Sequence, residues 1–320
     1  MNRKLTYLIF CILANSTFAH ADNNEREVSI SYGDMDHWVV RQIHESAIIG
    51  GNTKTLYEVG PDKTITGNEA YTNLGGSPWG TSNVMAKVMG VVKTNNSVYR
   101  EKRGNGYCAK LQTHVESVKV LGMMNIKVLA AGSLFLGDMA EPITSTKDGP
   151  KNLNWGIPFT GRPKALRYDY RVQTSGEKNR IKMTGFGSKS EVPGCDYAVT
   201  VVYLQKRTED ANGNIQARRV GTLVVRYGKS TDGWIDNATY EIAYGDVSRK
   251  SGYDATLMGL RKEDYARNSK GKMVPVVETG WADANETPTH AILQFSSSHG
   301  GAYIGSPGNT LWIDNVRWVY

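Results

Sequence analysis

Pro288-Thr289-His290-Ala291-Ile292-Leu293-Gln294-Phe295-Ser296-Ser297-Ser298-His299-Gly300-Gly301, followed by Thr310-Leu311-Trp312-Ile313-Asp314-Asn315-Val316-Arg317-Trp318-Val319-Tyr320, decides the fold. Ala291 to Phe295 is a short apolar run ended by a polar, glycine-rich turn. From Leu311 the chain alternates, because successive side chains of a strand point to opposite faces. Leu311, Ile313, Asn315, Arg317 and Val319 fall on one face; Trp312, Asp314, Val316, Trp318 and Tyr320 fall on the other. Asp314 is thereby expected among large apolar groups, where a carboxylate needs a cation, an arginine or backbone N–H groups as partner.

Working outward, the same grammar recurs. Val84 to Lys93, Tyr107 to Thr113, Ile126 to Phe135, Ala165 to Thr174, Tyr197 to Lys206, Arg218 to Arg226 and Ala238 to Ala243 read as further strands, punctuated by turn formers that include many of the 34 glycines. Asp210-Ala211-Asn212-Gly213-Asn214 reads as a hairpin loop, since Asn-Gly favours positive φ. Helical periodicity is nearly absent, and Arg261 to Asn268 is the best helix candidate. Many short strands with turns between them predict an all-β fold, a jelly-roll-like antiparallel β-sandwich. It is read as a single domain over 22–320 with long loops at Gly50 to Pro78 and Gly137 to Lys151. A boundary near Asp148-Gly149-Pro150 is the alternative.

Residues 1–21 read as an export signal: Arg3 and Lys4, the apolar run Leu5 to Leu13, then the small-x-small site Ala19-His20-Ala21. The run is too short to span a bilayer, and Phe10 before Cys11 argues against a lipid anchor. Cleavage after Ala21 leaves 299 residues and lowers the net charge from +7 to +5, so a periplasmic or secreted protein with no transmembrane segment is expected. Basic and acidic residues are interspersed, which argues against a nucleic-acid partner. Cys108 and Cys195 remain, in a compartment where a disulfide persists; they form either one disulfide or two separate buried thiols. No Cys-x-x-Cys or His cluster supplies a zinc site.

A series of blocks then carries a family resemblance: Tyr32-Gly33-Asp34-Met35-Asp36-His37-Trp38, Trp79-Gly80-Thr81-Ser82-Asn83, Gly106-Tyr107-Cys108-Ala109-Lys110-Leu111-Gln112-Thr113, Leu129-Ala130-Ala131-Gly132-Ser133-Leu134-Phe135-Leu136-Gly137, Gly156-Ile157-Pro158-Phe159-Thr160-Gly161-Arg162-Pro163-Lys164-Ala165-Leu166, and the Ser-Ser-Ser closing block. Together they resemble the putative carbohydrate metabolism domain, a β-sandwich family of exported bacterial proteins. The resemblance implies a glycan ligand and no established catalytic residues. Carbohydrate-binding sandwiches of this general type often hold a structural calcium where first and last strands meet. Asp34, Asp36 and Asp314 are the matching positions here, and hard oxygen ligands suit calcium. An ion pair of Asp314 with Arg317, or a turn-capping role for Asp34, are the alternatives.

A sugar surface needs flat aromatic faces and fixed polar groups. Seven Trp and seventeen Tyr against six Phe give that bias. Trp79, Trp155, Trp234, Trp281 and Tyr303 stand in Gly- or Pro-rich contexts and are the candidate ligand-binding rings, with core packing as the alternative for each. Arg162, between Pro158 and Pro163, is a fixed guanidinium that either binds ligand or ties a loop. Trp38, Trp312 and Trp318 are assigned to the core. No motif marks a carboxylate pair for glycoside hydrolysis, Ser298-His299 does not make a triad, and Gly104-Asn105-Gly106 lacks the helix of a nucleotide site. The expected function is noncatalytic glycan binding, with a glycoside hydrolase or lyase and a protein-binding envelope component as alternatives.

Overall fold

Thr310–Val319 runs through the middle of a sheet whose order is Ile235–Glu241, Ala165–Gln173, Thr310–Val319, Gly106–Gln112, Val98–Arg103, with Glu27–Ser29 also pairing with the closing strand. This computed structural model describes residues 25–320 apart from 72, 74–75, 121–123, 146–148 and 186; the expected signal segment lies outside the described residues. A second, ten-stranded sheet has the path Leu153–Trp155, Ser133–Met139, His290–Ser296, Ala198–Glu209, Ile215–Tyr227, Met273–Trp281, Asp264–Arg267. Alternate residues of both sheets meet in one core. Leu166, Tyr168, Leu311 and Ile313 face Leu134, Val202, Leu293 and Phe295, so the molecule is an all-β sandwich. Trp38 and Trp318 lie in that core, as expected.

The alternation of the closing strand holds only as far as Asp314. Asn315 adopts left-handed backbone (φ 53°), and the register against Ala165–Gln173 shifts between Arg167 and Asp169. The inward residues accordingly change parity, from Leu311 and Ile313 to Val316 and Trp318. One extra residue in a ladder has this effect, because the side-chain period is two. Asp314 is therefore kept off the core face. Trp312 is buried as well, but on the outer face beneath Arg171 and Lys110 rather than in the core.

Four other expectations change. Val84 to Lys93 is a hairpin, Val84–Val88 and Val91–Asn95, because Met89 (φ 51°) and Gly90 (φ 80°) reverse the chain. Ile126 to Phe135 divides into Met124–Ala130 and Ser133–Met139; a Cβ on Gly132 would lie 2.3 Å from the Ser97 carbonyl oxygen, so only glycine fits the break. Among the described residues the one α-helical turn is Ala255–Met258, capped by the Asp254 side chain, while Arg261 to Asn268 contains the strand Asp264–Arg267. The supposed loop after Gly50 carries Thr53–Val59 and Lys63–Thr66, which flank Trp38–His44, the latter in parallel.

Candidate functional site

The bulge builds a polar centre on the outer face of the first sheet. Arg103 ends the strand Val98–Arg103 and reaches across its neighbours. Its Nη1 donates to Asp169 Oδ2 (2.8 Å) and Asp314 Oδ2 (2.6 Å), and its Nη2 to Asp236 Oδ1 (2.5 Å). Asp169 and Asp314 lie opposite each other across the two strands at the bulge. The Asn315 N–H donates to Asp314 Oδ1 (2.8 Å) and its side-chain amide to Asp169 Oδ2 (2.8 Å), while the Asn237 N–H donates to Asp169 Oδ1 (2.7 Å). Trp234 lies against the guanidinium, whose carbon is 3.9 Å from the ring centroid, a cation–π contact that fixes the orientation of the half-buried indole.

These contacts separate the two carboxylates. Burial pushes the Asp314 carboxyl up to about 6, outweighing the Arg103 hydrogen bond and charge. Burial opposes the charge of Asp169 too, but there the Asn237 N–H, the Asn315 amide and Arg103 prevail and hold it below the usual carboxylate range. Asp236 remains well exposed. Further along the same face, Arg171 is exposed and lies over the Trp312 ring at 4.8 Å, and the indole N–H donates to Glu101 (2.8 Å). The face thus offers a fixed ring edge, guanidinium donors and a carboxylate acceptor in one layer, which is what hydroxyl-rich ligands require.

A second acid pair is sealed. Arg41 Nη1 bridges Glu58 (3.1 Å) and Glu141 (3.0 Å), the Thr81 hydroxyl donates to Glu58, and the N–H groups of Tyr71 and Met85 donate to Glu141. Burial pushes Glu58 up to about 7. The crevice behind them, lined also by Trp79, Asn83 and Asp138, has about 10 Å³ of space, room for a water and not for a sugar.

The predicted residues are scattered. Trp79 is 1% exposed and donates its N–H to the Ser31 carbonyl (2.9 Å); it is a core residue, a correction that follows from Gly80, where a Cβ would collide with Phe135. Trp155 packs half-buried against Phe135 (4.7 Å) in the second sheet. Trp281 is half-buried at the end of another strand of that sheet, its carbonyl bonded by Arg218. Tyr303 is half-buried beside Ile304–Gly305, its carbonyl accepting from the Met183 N–H. Arg162 donates to the carbonyls of Glu286 and Ala284 and stacks on Tyr244 (4.4 Å), so its guanidinium ties loops. Of the expected rings only Trp234 stands in the polar centre.

The calcium reading does not hold, and of the two cysteine readings the structure shows separate thiols, not a disulfide. Asp34, Asp36 and Asp314 do not converge: Asp36 accepts the Tyr107 N–H (2.7 Å), Asp34 lies 3.4 Å from the Asp36 nitrogen, and Asp314 belongs to Arg103. Among the described residues no group of three His, Cys, Asp or Glu is placed to hold a metal, so the donor set does not fit calcium. Cys108 and Cys195 are both free thiols; Cys108 is buried in a strand, where burial pushes its thiol up to about 12, and Cys195 is exposed in a loop, its thiol donating to the Gly176 carbonyl. Arg103, Asp169 and Asp236 were not anticipated. Tyr168-Asp169-Tyr170 carried the same signal that marked Asp314, an acid set between large rings on a strand.

Among solved structures the chain is similar to a putative glycoside hydrolase from Bacteroides thetaiotaomicron (TM-score 0.43, 17% identity, covering 84% of this chain and 75% of that one) and to one from Bacteroides vulgatus (TM-score 0.41, 15% identity, 92% and 95%). It is also similar to CBM28, a carbohydrate-binding module specific for non-crystalline cellulose (TM-score 0.26, 9% identity, 76% and 87%). No curated protein matches it. The putative carbohydrate metabolism domain matches residues 52–319, which takes in the ten-stranded sheet, the first sheet apart from Glu27–Ser29 and every residue of the Arg103 centre, and the chain belongs to that family.

Proposed function

We propose that the protein binds glycan chains without cleaving them, on the outer face of the first sheet, with Trp234 as the stacking ring and Asp236 and Arg171 as hydroxyl partners. The observation that carries this reading is the Trp234–Arg103 contact: a loop indole held rigid by a guanidinium that is itself fixed by three carboxylates. A preorganised ring loses little conformational freedom when a pyranose stacks on it. Membership of a carbohydrate-metabolism family supports the ligand class. With residues 1–21 read as an export signal, the glycan would be met outside the cytoplasm. A glycan array tests the proposal. Trp234→Ala is expected to weaken binding at least tenfold, whereas Trp155→Ala and Trp281→Ala keep it. Retention of no glycan, or a Trp234→Ala protein that binds like its parent, overturns it.

One observation favours a second reading, glycoside hydrolysis. Asp314 and Asp169 share one guanidinium and are pushed in opposite directions, the pattern by which a protein separates an acid from a base. Release of reducing ends from a bound glycan, abolished in Asp314→Asn, would favour it over simple binding.

A further inference from the structure

We propose that the second sheet carries an anion site of its own, at Arg207 and His290, which takes the carboxylate of an acidic sugar. The ten-stranded sheet curls until its two end strands meet, the Arg267 N–H of one donating to Asn154 Oδ1 of the other (2.8 Å). Side chains of distant strands thereby gather on the face turned away from the main core. Leu204 and Ala291 point into that core, so Tyr203, Gln205 and His290 point away from it, with His290 directly opposite Gln205. The Tyr203 ring lies under two guanidiniums, Arg219 at 3.9 Å and Arg261 at 5.7 Å from its centroid. Arg207 joins the same face, because its Nε donates to Gln205 Oε1 (2.8 Å).

The charges gathered there do not balance. Arg219 pairs with Glu278 (2.5 Å) and Arg261 with Asp264 (2.6 Å). Glu278 is tied further by Gln205 Nε2 and the Arg261 N–H (2.7 Å each). Arg207 has no carboxylate partner among the described residues; besides Gln205, its guanidinium bonds the Trp155 carbonyl through Nη2 (2.8 Å). Burial pushes this guanidinium down to about 10 in spite of the Asp264 and Glu278 charges, as befits a cation with no anion of its own. The fold nevertheless makes room for it. A Cβ on Gly156 (φ 85°) would lie 2.8 Å from Arg207 Nη2, so glycine is what lets the guanidinium sit there.

Two donors are left over. Arg207 Nη1 and His290 Nε2 have no hydrogen-bond partner among the described residues, and both atoms reach solvent on half-buried side chains. The Thr289 hydroxyl accepts the Arg207 backbone N–H (2.9 Å) and lies 2.9 Å from His290 Nδ1; donating there, it leaves the ring proton on Nε2. Burial, aided by the Arg207 charge, pushes His290 down to about 4, so at neutral pH the ring adds no second charge. Arg207 and His290 are diagonal neighbours across the strand pair. One uncompensated positive charge with two adjacent N–H donors suits a monoanion with two oxygens, a carboxylate, whereas a phosphate would call for more charge. The sugar part of this ligand rests on the glycan reading above; the carboxylate part does not.

The test is calorimetric titration of the chain from Asp22, which keeps every described residue, with galacturonate, galactose and acetate. Galacturonate is expected to bind roughly tenfold tighter than galactose, and acetate to displace it. Arg207→Met is expected to weaken galacturonate roughly tenfold and His290→Leu about fivefold. The second variant decides the matter should the first fail to fold, since the His290 side chain bonds only Thr289. Galacturonate bound no tighter than galactose, or variants that bind it like the parent, overturn the proposal. So does a loss in Trp234→Ala equal to that in Arg207→Met, which would place the acid on the first sheet. Acetate taken through Arg207 with galacturonate refused would overturn the sugar and trace that failure to the glycan reading.

Discussion

Two arginines of this protein have the same kinds of partner, a carboxylate and an aromatic ring, and opposite surroundings. Arg219 pairs with Glu278 (2.5 Å) and lies 3.9 Å from the Tyr203 ring; Arg103 pairs with Asp314 (2.6 Å) and lies 3.9 Å from the Trp234 ring. Around Arg219 nothing is left over. Its guanidinium also reaches Thr222 and the Met258 and Gly259 carbonyls, Glu278 takes further bonds from Gln205 and the Arg261 N–H, and both side chains of the pair are fully buried. Around Arg103 the layer opens to water through Asp236 and Trp234. Ion pairing and ring stacking therefore do not mark a ligand site by themselves; the unsatisfied, accessible remainder does.

The contrast can be broken most forcefully at its buried end. Arg219→Leu strands the Glu278 carboxylate in the interior and is expected to cost about 3–5 kcal/mol in urea unfolding; a loss under about 1 kcal/mol would mean that the pair is not the brace described. At the open end, the effect should be smaller and dependent on pH. Asp314 titrates near 6 in the folded protein and near 4 when unfolded. As pH falls from 7.5 to 5 the folded state takes up a proton that the unfolded chain does not, so this group stabilises progressively toward acid. The stability difference between the native protein and Asp314→Asn should shift by about 1.4 kcal/mol in favour of the native protein over that range. Glu58, displaced in the same direction, is common to both and cancels. A difference independent of pH would show Asp314 ionised throughout. Smallest of all, Trp234→Ala should change stability by less than about 0.5 kcal/mol while losing glycan, sharpening the line between a ring that braces and a ring that recognises.

The strands were legible because alternation and turn chemistry are local. The closing stretch was legible as a strand, and the Asp210–Asn214 hairpin follows from Asp210 accepting N–H groups within its own turn. The bulge was not, since one inserted residue leaves the composition of a strand intact. Its trace is Asp314-Asn315, two residues that strands disfavour, of which Asn tolerates left-handed φ. The need of Asp314 for a partner was legible too, and its fulfilment by Arg103, 211 positions earlier, was not, because that contact exists only once the sheet is assembled. Trp79 misled for a different reason. A glycine beside a tryptophan suggests a loop, but Gly80 serves close packing against Phe135 within a strand.

The place of Thr310–Val319 in its sheet also bears on how the chain folds. It pairs with Gly106–Gln112, Ala165–Gln173 and Glu27–Ser29, all of them synthesised before it. Gly106–Gln112 and Ala165–Gln173 have no ladder with each other and meet only through this late arrival. During translation half of the sandwich would wait with two unjoined flaps and exposed apolar edges. A chaperone that shields β-edges would have its window there, and it would close as the final strand slots between them.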